Sequence, residues 1–154
     1  MIQNQRTIST SVSIEGNGLH SGLKTNVTFK PAPPFAGVTF IRTDAQEAVS
    51  IKASSENVHS TQRSTHLKNN NYSAQTTEHV LAAISALEID NLIIEIDNLE
   101  IPILDGSSAP FVRLLEKAGI NDQNASKKIF SPKKKIHFKF EETDSEYILE
   151  PHHD

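Results

Sequence analysis

The chain has 154 residues, a net charge of −4 and 36% hydrophobic residues, which together predict one lean domain or two small ones. It contains no cysteine, which excludes a disulfide framework, a thiolate zinc site and a cysteine nucleophile. No apolar run reaches the ~18 residues of a membrane span, and the N-terminus lacks the apolar core of a signal peptide. We therefore expect a cytoplasmic protein with no transmembrane segment.

The first half of the chain is predicted to form strands. Apolar residues alternate with Ser and Thr up to Ile14, and apolar pairs around Val27, Phe40 and Ile51 predict three further strands. Prolines separate the second strand from the third because proline cannot donate a hydrogen bond to a sheet. Residues 54–73 are mostly polar and predict a loop or a short edge strand.

Two helices are predicted in the second half. The first covers residues 76–88, with Thr76 or Thr77 as N-cap, and a strand over residues 91–97 follows it. The second helix has Ser108 as N-cap and Gly119 as C-cap. This order predicts an α+β fold, a small mixed or antiparallel sheet with the two helices packed on one face.

The end of the chain predicts a separate unit. Residues 1–122 form the first domain in this interpretation, residues 123–132 a linker, and residues 133–154 the start of a truncated second domain. Alternation of apolar and charged residues after 135 predicts a β-hairpin whose lysines face acids across the ladder. The lysine run could instead be a nucleic-acid patch. The net negative charge and the hairpin pattern disfavour that alternative, so we expect no nucleic-acid partner.

Glu78 and His79 at the start of the first helix are the sharpest candidates for chemistry. A helix N-terminus carries partial positive charge, which favours a carboxylate and disfavours an imidazolium. A neutral imidazole can bind a divalent metal, and a carboxylate beside it can take a proton from a metal-bound water. The alternative is a first-turn Glu and a capping His with no catalytic role. The helical His-x-x-x-His zinc motif does not apply, because position 83 is Ala.

Other motifs are weaker. The glycine-rich loop, residues 16–22, misses the dinucleotide-binding fingerprint because position 21 is Ser and a strand follows it. His20 in this loop is expected to be either exposed or part of a pocket. The cluster His152-His153-Asp154 lies at the chain end, where nothing fixes its geometry, so it is not taken as a metal site.

Three segments together resemble one family. They read Gly-Asn-Gly-Leu-His-Ser-Gly (16–22), Thr-Thr-Glu-His-Val-Leu-Ala-Ala (76–83) and Glu-Ile-Pro-Ile-Leu-Asp-Gly-Ser-Ser-Ala-Pro-Phe-Val (100–112). Their content, order and spacing are similar to those of the zinc-dependent UDP-3-O-acyl-N-acetylglucosamine deacetylases of lipid A biosynthesis. The resemblance covers Gln5 to about Lys128 and continues weakly beyond.

The resemblance implies a fold, a reaction and roles for four residues. The family has two similar halves, with a catalytic zinc ion (Zn2+) at their junction. His79 would be the zinc ligand from this half, Glu78 the general base, and His20 a pocket residue, with Ser64 bordering the substrate. The implied reaction hydrolyses the N-acetyl amide of a UDP-linked acylated glucosamine and releases acetate.

The rest of the implied zinc site is not present in the sequence. The family's other two zinc ligands, a His and an Asp four residues apart, belong to its second half, as does the catalytic His. We therefore expect this chain alone to be inactive and without stoichiometric zinc, with the missing C-terminal half as its partner. We also expect self-association through exposed helix faces. The alternative function is a non-catalytic α+β binding module.

Overall fold

The computed structural model describes residues 3–152. Strands, two α-helices and one short 3-10 helix (Ser55–Asn57) make up the regular structure of this range. Their bounds are β1 (Asn4–Ile8), β2 (Val12–Asn17), β3 (Lys24–Pro31), β4 (Val38–Arg42), β5 (Val49–Lys52), β6 (Val58–Ser60), β7 (His66–Asn69), β8 (Tyr72–Ala74), α1 (Glu78–Ala86), β9 (Leu92–Ile96), α2 (Ala109–Ala118), β10 (Ile120–Ser126), β11 (Ile136–Phe140) and β12 (Ser145–Leu149).

The main sheet has the strand order β2-β3-β9-β4-β5 and is mixed. Only the β4–β9 pair is parallel within it, and the other neighbours are antiparallel. Central strand β9 alternates as predicted, with Leu92, Ile94 and Ile96 fully buried and Ile93 and Glu95 half-buried on the other face. This alternation gives β9 one apolar face, which is buried in the core.

Both helices contribute to one apolar core with that face. The Phe111 ring of α2 meets the Phe29 ring of β3 edge to face, with centroids 6.3 Å apart and planes at 71°. Helix α1 buries Val80, Ala83 and Ile84 in the same core. The predicted α+β class is confirmed. Neither described helix has the length and apolar composition needed to cross a membrane.

Thr77, Ser108 and Gly119 occupy the predicted cap positions, but the hydroxyls at the two helix starts do not form the capping hydrogen bond. Gly119 ends α2 with φ 77°, as its C-cap assignment requires. Thr77 and Ser108 precede the two helices, but neither hydroxyl caps an amide. Both residues have α-helical backbone angles, whereas a capping side chain reaches the first-turn amides from an extended backbone. Thr76 also lies outside this role, since its hydroxyl bonds Glu100.

The polar stretch 54–73 is more ordered than a loop. It contains β6, β7 and the start of β8, which form an antiparallel three-stranded sheet in the order β6-β7-β8. Leu67 of β7 is 2% exposed and joins the core. Leu67 and its cross-strand neighbour Ala74 are the apolar residues that this sheet buries, so hydrophobic alternation alone did not reveal it.

Residues 123–126, part of the expected linker, belong to strand β10. This strand pairs antiparallel with β1, so the two polar segments close the domain from opposite ends of its sequence. The Gln123 side chain donates a hydrogen bond to the Ala32 carbonyl at 2.8 Å and accepts one from Asn91 at 2.7 Å. Amide hydrogen bonds hold this strand without apolar alternation. The division into domains of residues 1–122 and 133–154 stays a prediction.

The predicted terminal hairpin is confirmed, with β11 and β12 antiparallel. Its charged face carries the expected pairs Lys135–Glu150 at 2.7 Å and Lys139–Asp144 at 3.1 Å, together with a His137–Glu146 contact. Its opposite face is apolar apart from Ser145, and each apolar residue on it is 42–58% exposed. We call this the apolar hairpin face; its residues are Ile136, Phe138, Phe140, Tyr147 and Leu149.

Candidate active site

Glu78 is the first residue of α1 and is anchored to the polar stretch that precedes the helix. Its Oε2 atom accepts a hydrogen bond from the Thr65 N–H group at 2.9 Å. The Thr77 hydroxyl donates to the carbonyl of the same Thr65 at 3.1 Å, so the helix start holds this residue from both sides. Within residues 3–152 the Glu78 Oε1 atom has no hydrogen-bond partner. One oxygen is therefore fixed and the other is available for proton transfer.

His79 follows Glu78 and is half-buried. Its imidazole makes no hydrogen bond or ion pair with any residue that the structure describes. Both ring nitrogens are therefore available to a ligand or to a group supplied from elsewhere.

A cavity of about 200 Å³ lies beside this helix start. It is lined by His20 from the glycine-rich loop and by Ser64 from the polar stretch, so two predicted pocket residues share one space. Ser64 bonds His66 Nε2 at 2.7 Å. Glu78 reaches the same stretch through Thr65. Neither Glu78 nor His79 belongs to the lining, which is completed by Gln62, Arg63, His66 and Gln75.

A second cavity of about 240 Å³ contains none of the predicted site residues. Its wall includes Asn91, whose amide bonds Gln5 and Gln123. These hydrogen bonds join strands β1 and β10 to the start of β9. Their role is structural, so we place the candidate site at the smaller cavity.

Two residues around the smaller cavity hold a left-handed backbone without being glycine. Arg63 has φ 63° and Thr76 has φ 56°. A β-branched residue rarely adopts this conformation, and such strain persists where the surrounding contacts impose it. Thr76 is 2% exposed and directly precedes the Thr77-Glu78-His79 segment. The strain therefore lies where the chain enters α1.

Glu100 is a fully buried carboxylate that the sequence did not reveal as part of the site. It accepts hydrogen bonds from the backbone N–H groups of His20 at 3.0 Å and Ser21 at 2.7 Å, and from the Thr76 hydroxyl at 2.9 Å. Burial raises its pKa, but the hydrogen bonds from Ser21, His20 and Thr76 outweigh burial and lower the pKa to about 2. An acid inside the apolar run 99–103 was the signal for a buried, bonded carboxylate.

The described residues do not complete a catalytic zinc site. Within residues 3–152, no group of three His, Cys, Asp or Glu side chains is placed to hold a metal ion. Catalytic zinc sites take three protein ligands, and here His79 is the single candidate that the sequence offered. His153 and Asp154 of the terminal cluster lie outside the described residues.

Comparisons with known proteins agree with the motifs. The family model described as UDP-3-O-acyl N-acetylglycosamine deacetylase matches residues 5–154. The UDP-3-O-acyl-N-acetylglucosamine deacetylase of Colwellia psychrerythraea is 49% identical over 133 residues, which cover 86% of this chain and 44% of that protein. The protein of that name from Idiomarina loihiensis is 46% identical over 149 residues, or 96% of this chain and 48% of the relative. The one from Myxococcus xanthus is 44% identical over 133 residues, or 86% and 42%. The chain thus spans less than half the length of these relatives.

Proposed function

Because the chain belongs to the UDP-3-O-acyl N-acetylglycosamine deacetylase family, we propose that it supplies the N-terminal part of such a deacetylase. The proposed substrate is a UDP-linked acylated N-acetylglucosamine, and the products are acetate and the free amine. The name shared by the relatives supports this choice. A role in lipid A biosynthesis and a cytoplasmic location belong to the same proposal.

We assign the general base to Glu78. A water molecule adds its oxygen to the amide carbonyl carbon while Glu78 takes a proton from it. That proton then passes from Glu78 to the amide nitrogen as the carbon–nitrogen bond breaks, which releases acetate and the free amine. The observation that carries this assignment is the asymmetric carboxylate, with Oε2 fixed by Thr65 at 2.9 Å and Oε1 without a partner among residues 3–152. A fixed oxygen orients the free one, which a general base requires.

The neighbouring cavity is proposed to receive the polar part of the substrate. Its wall carries Arg63 and the imidazoles of His20 and His66, with hydroxyl and amide groups from Ser64 and Gln75. These groups suit a sugar nucleotide, which presents hydroxyls and negative charge. His20 and Ser64 would then border the substrate.

His79 is proposed as the one zinc ligand that this chain contributes. The imidazole has no partner in the described range, so it is available as one ligand. The remaining ligands would come from the rest of the protein, and we propose the C-terminal half of the enzyme as this chain's partner. The 154-residue chain by itself is expected to be inactive and to hold no stoichiometric zinc.

The test joins this chain to the remaining part of the Idiomarina loihiensis relative, whose match covers 96% of the chain. We expect the chimera to release acetate from UDP-3-O-acyl-N-acetylglucosamine. Glu78→Gln should lower kcat by about 10²- to 10⁴-fold, because the amide cannot accept the proton. Glu116→Gln, an exposed acid on α2, is the matched control and should retain the rate of the unsubstituted chimera.

A Glu78→Gln chimera that turns over as fast as the control would contradict the assignment. A chimera with no activity in any form would instead favour the non-catalytic binding module. Elemental analysis of the purified 154-residue chain completes the test, since one zinc ion per chain with robust turnover would refute the need for a second half.

A further inference from the structure

We propose that Glu100 is a positioning residue for this site. Its carboxylate accepts hydrogen bonds from the glycine-rich loop, residues 16–22, and from Thr76, the residue with a left-handed backbone in front of α1. This junction sets His20 in a fixed relation to Glu78. The identity of the site rests on the proposed function, whereas the link between the loop and the start of α1 rests on the hydrogen bonds of Glu100.

The loop side of the junction is built from backbone amides. Glu100 Oε1 and Oε2 accept the N–H groups of His20 and Ser21, which are consecutive residues. A Cβ atom on Gly18 would lie 2.3 Å from Glu100 Oε2 and 2.8 Å from its Cδ atom. The same Cβ atom would lie 2.4 Å from the Ser21 hydroxyl oxygen, so the carboxylate and this hydroxyl together occupy the space that a side chain at position 18 would take. The loop closes around Glu100.

The helix side is built from Thr76. Its hydroxyl donates to Glu100 Oε1 at 2.9 Å, and its φ of 56° is one that a threonine rarely holds without such a bond. The backbones on either side are also joined, since the Gln75 N–H donates to the Leu99 carbonyl and the Ile101 N–H to the Gln75 carbonyl. Glu78 lies two residues after Thr76 in the chain. Glu100 thus holds the residue that directs the chain into α1.

Because Glu100 is buried, its carboxylate depends on the hydrogen bonds from the loop and from Thr76. The side chain is 0% exposed, and within the described range its partners are N–H and O–H groups with no ion pair to a basic side chain. A buried carboxylate is tolerated only when its oxygens are hydrogen-bonded. Its donors come from the consecutive residues 20 and 21 and from residue 76, which lies far from them along the chain. Loss of the carboxylate should therefore release the loop from the helix start.

The first test measures amide hydrogen exchange by NMR in the 154-residue chain. Glu100→Gln places an amide NH2 where an oxygen accepted N–H groups. We expect exchange at His20 and Ser21 to rise about 10- to 100-fold beyond any change at the buried β9 amides. Glu95→Gln, whose residue pairs with Lys30 at the sheet surface, should leave these two amides unchanged. Equal changes at the loop and at β9 would overturn the proposal in favour of a general stabilising role.

If Glu100→Gln does not fold, a second variant tests whether Glu100 links the loop to Thr76. Thr76→Val removes one hydrogen bond from the carboxylate and keeps the shape of the side chain. Exchange at His20 and Ser21 should rise by a smaller factor, because the loop and Thr76 share the same acceptor. Unchanged exchange at both amides would overturn the proposed link.

The second measurement uses the chimera described above. Glu100→Gln should lower kcat at least about tenfold, as expected when a base loses its orientation, while Glu95→Gln retains the kcat and KM of the unsubstituted chimera. Identical kinetics for the two variants would contradict positioning. If no chimera is active, the proposed function fails, and the exchange measurement still tests Glu100 by itself.

Discussion

Two glutamates near the start of α1 show how environment separates the roles of one residue type. Glu100 has both oxygens hydrogen-bonded and no exposed surface. Glu78 is half-buried, and of its two oxygens only Oε2 has a partner in the described range. A carboxylate whose oxygens are both occupied cannot easily accept a proton, whereas one with a free oxygen can. The first therefore suits positioning and the second suits proton transfer.

The pKa of Glu100 leads to a prediction at the residue scale. Since folding lowers this pKa from 4.5 to about 2, the ionised side chain stabilises the fold above pH 4.5, and this contribution is lost as the pH falls toward 2. We expect the wild type to lose about 3 kcal/mol more than Glu100→Gln over this interval, as measured by urea unfolding at several pH values. The pKa of Asp44 is also lowered, mainly by the hydrogen bonds that Arg42 donates to it. Asp44 is present in both proteins, so its contribution to the pH dependence cancels in the comparison. Parallel pH profiles would contradict this prediction.

At the scale of elements, Ser108 occupies the predicted N-cap position of helix α2, but the hydroxyl that bonds the first helical amide belongs to Ser107. Asp105 accepts hydrogen bonds from both the N–H group and the hydroxyl of Ser107, at 2.9 and 2.8 Å. Ser107 Oγ in turn accepts the Ala109 N–H at 3.2 Å. Ser108 precedes the helix but its hydroxyl caps no amide. The adjacent serine therefore carries the role that the sequence pattern assigned to Ser108.

This turn provides a matched pair of substitutions. Ser107→Ala should lower the free energy of unfolding by about 0.5–2 kcal/mol, because it leaves the Ala109 amide without its acceptor and removes one of the two hydrogen bonds that residue 107 donates to Asp105. Ser108→Ala should change it by less than about 0.5 kcal/mol. Chemical denaturation of both variants checks the pair. A larger loss for Ser108→Ala would support Ser108 as the capping residue instead.

At the scale of the whole molecule, the apolar surface of the described range lies away from the helices. No large apolar side chain of α1 or α2 is exposed in residues 3–152, and Leu81, Val112 and Leu114 are half-buried. Self-association through the helix faces stays a prediction. The apolar hairpin face offers more exposed surface, and a two-stranded hairpin is only marginally stable in water without a cover.

We therefore predict that the isolated 154-residue chain associates with a second copy of itself through the apolar hairpin face. Sedimentation velocity over a range of concentrations should show a species heavier than the monomer, because contiguous apolar surface drives such contacts. Phe138→Lys should shift the chain toward monomer, while Lys139→Gln on the charged face should not. A wild-type chain that stays monomeric at high concentration would contradict the prediction.

The sequence by itself determined the features that repeat locally. Alternation along β9 predicted its buried face, and alternation along β11 predicted the charged and apolar faces of the hairpin. Gly119 predicted the end of α2. Each of these signals depends on neighbours within a few residues. The order of these local elements predicted the α+β class. The three family motifs are equally local, and they indicated the deacetylase family and the candidate pair Glu78 and His79 from residue types and spacing alone.

Only the tertiary structure decided which distant residues meet. Glu100 contacts His20, 80 positions earlier in the chain, and β10 pairs with β1 from the other end of the domain. The gathering of His20 and Ser64 around one cavity is of the same kind. The Glu100–His20 contact and the β1–β10 pairing are made by hydrogen bonds between polar groups, which leave no hydrophobic period in the sequence. Their partners are set by the path of the folded backbone.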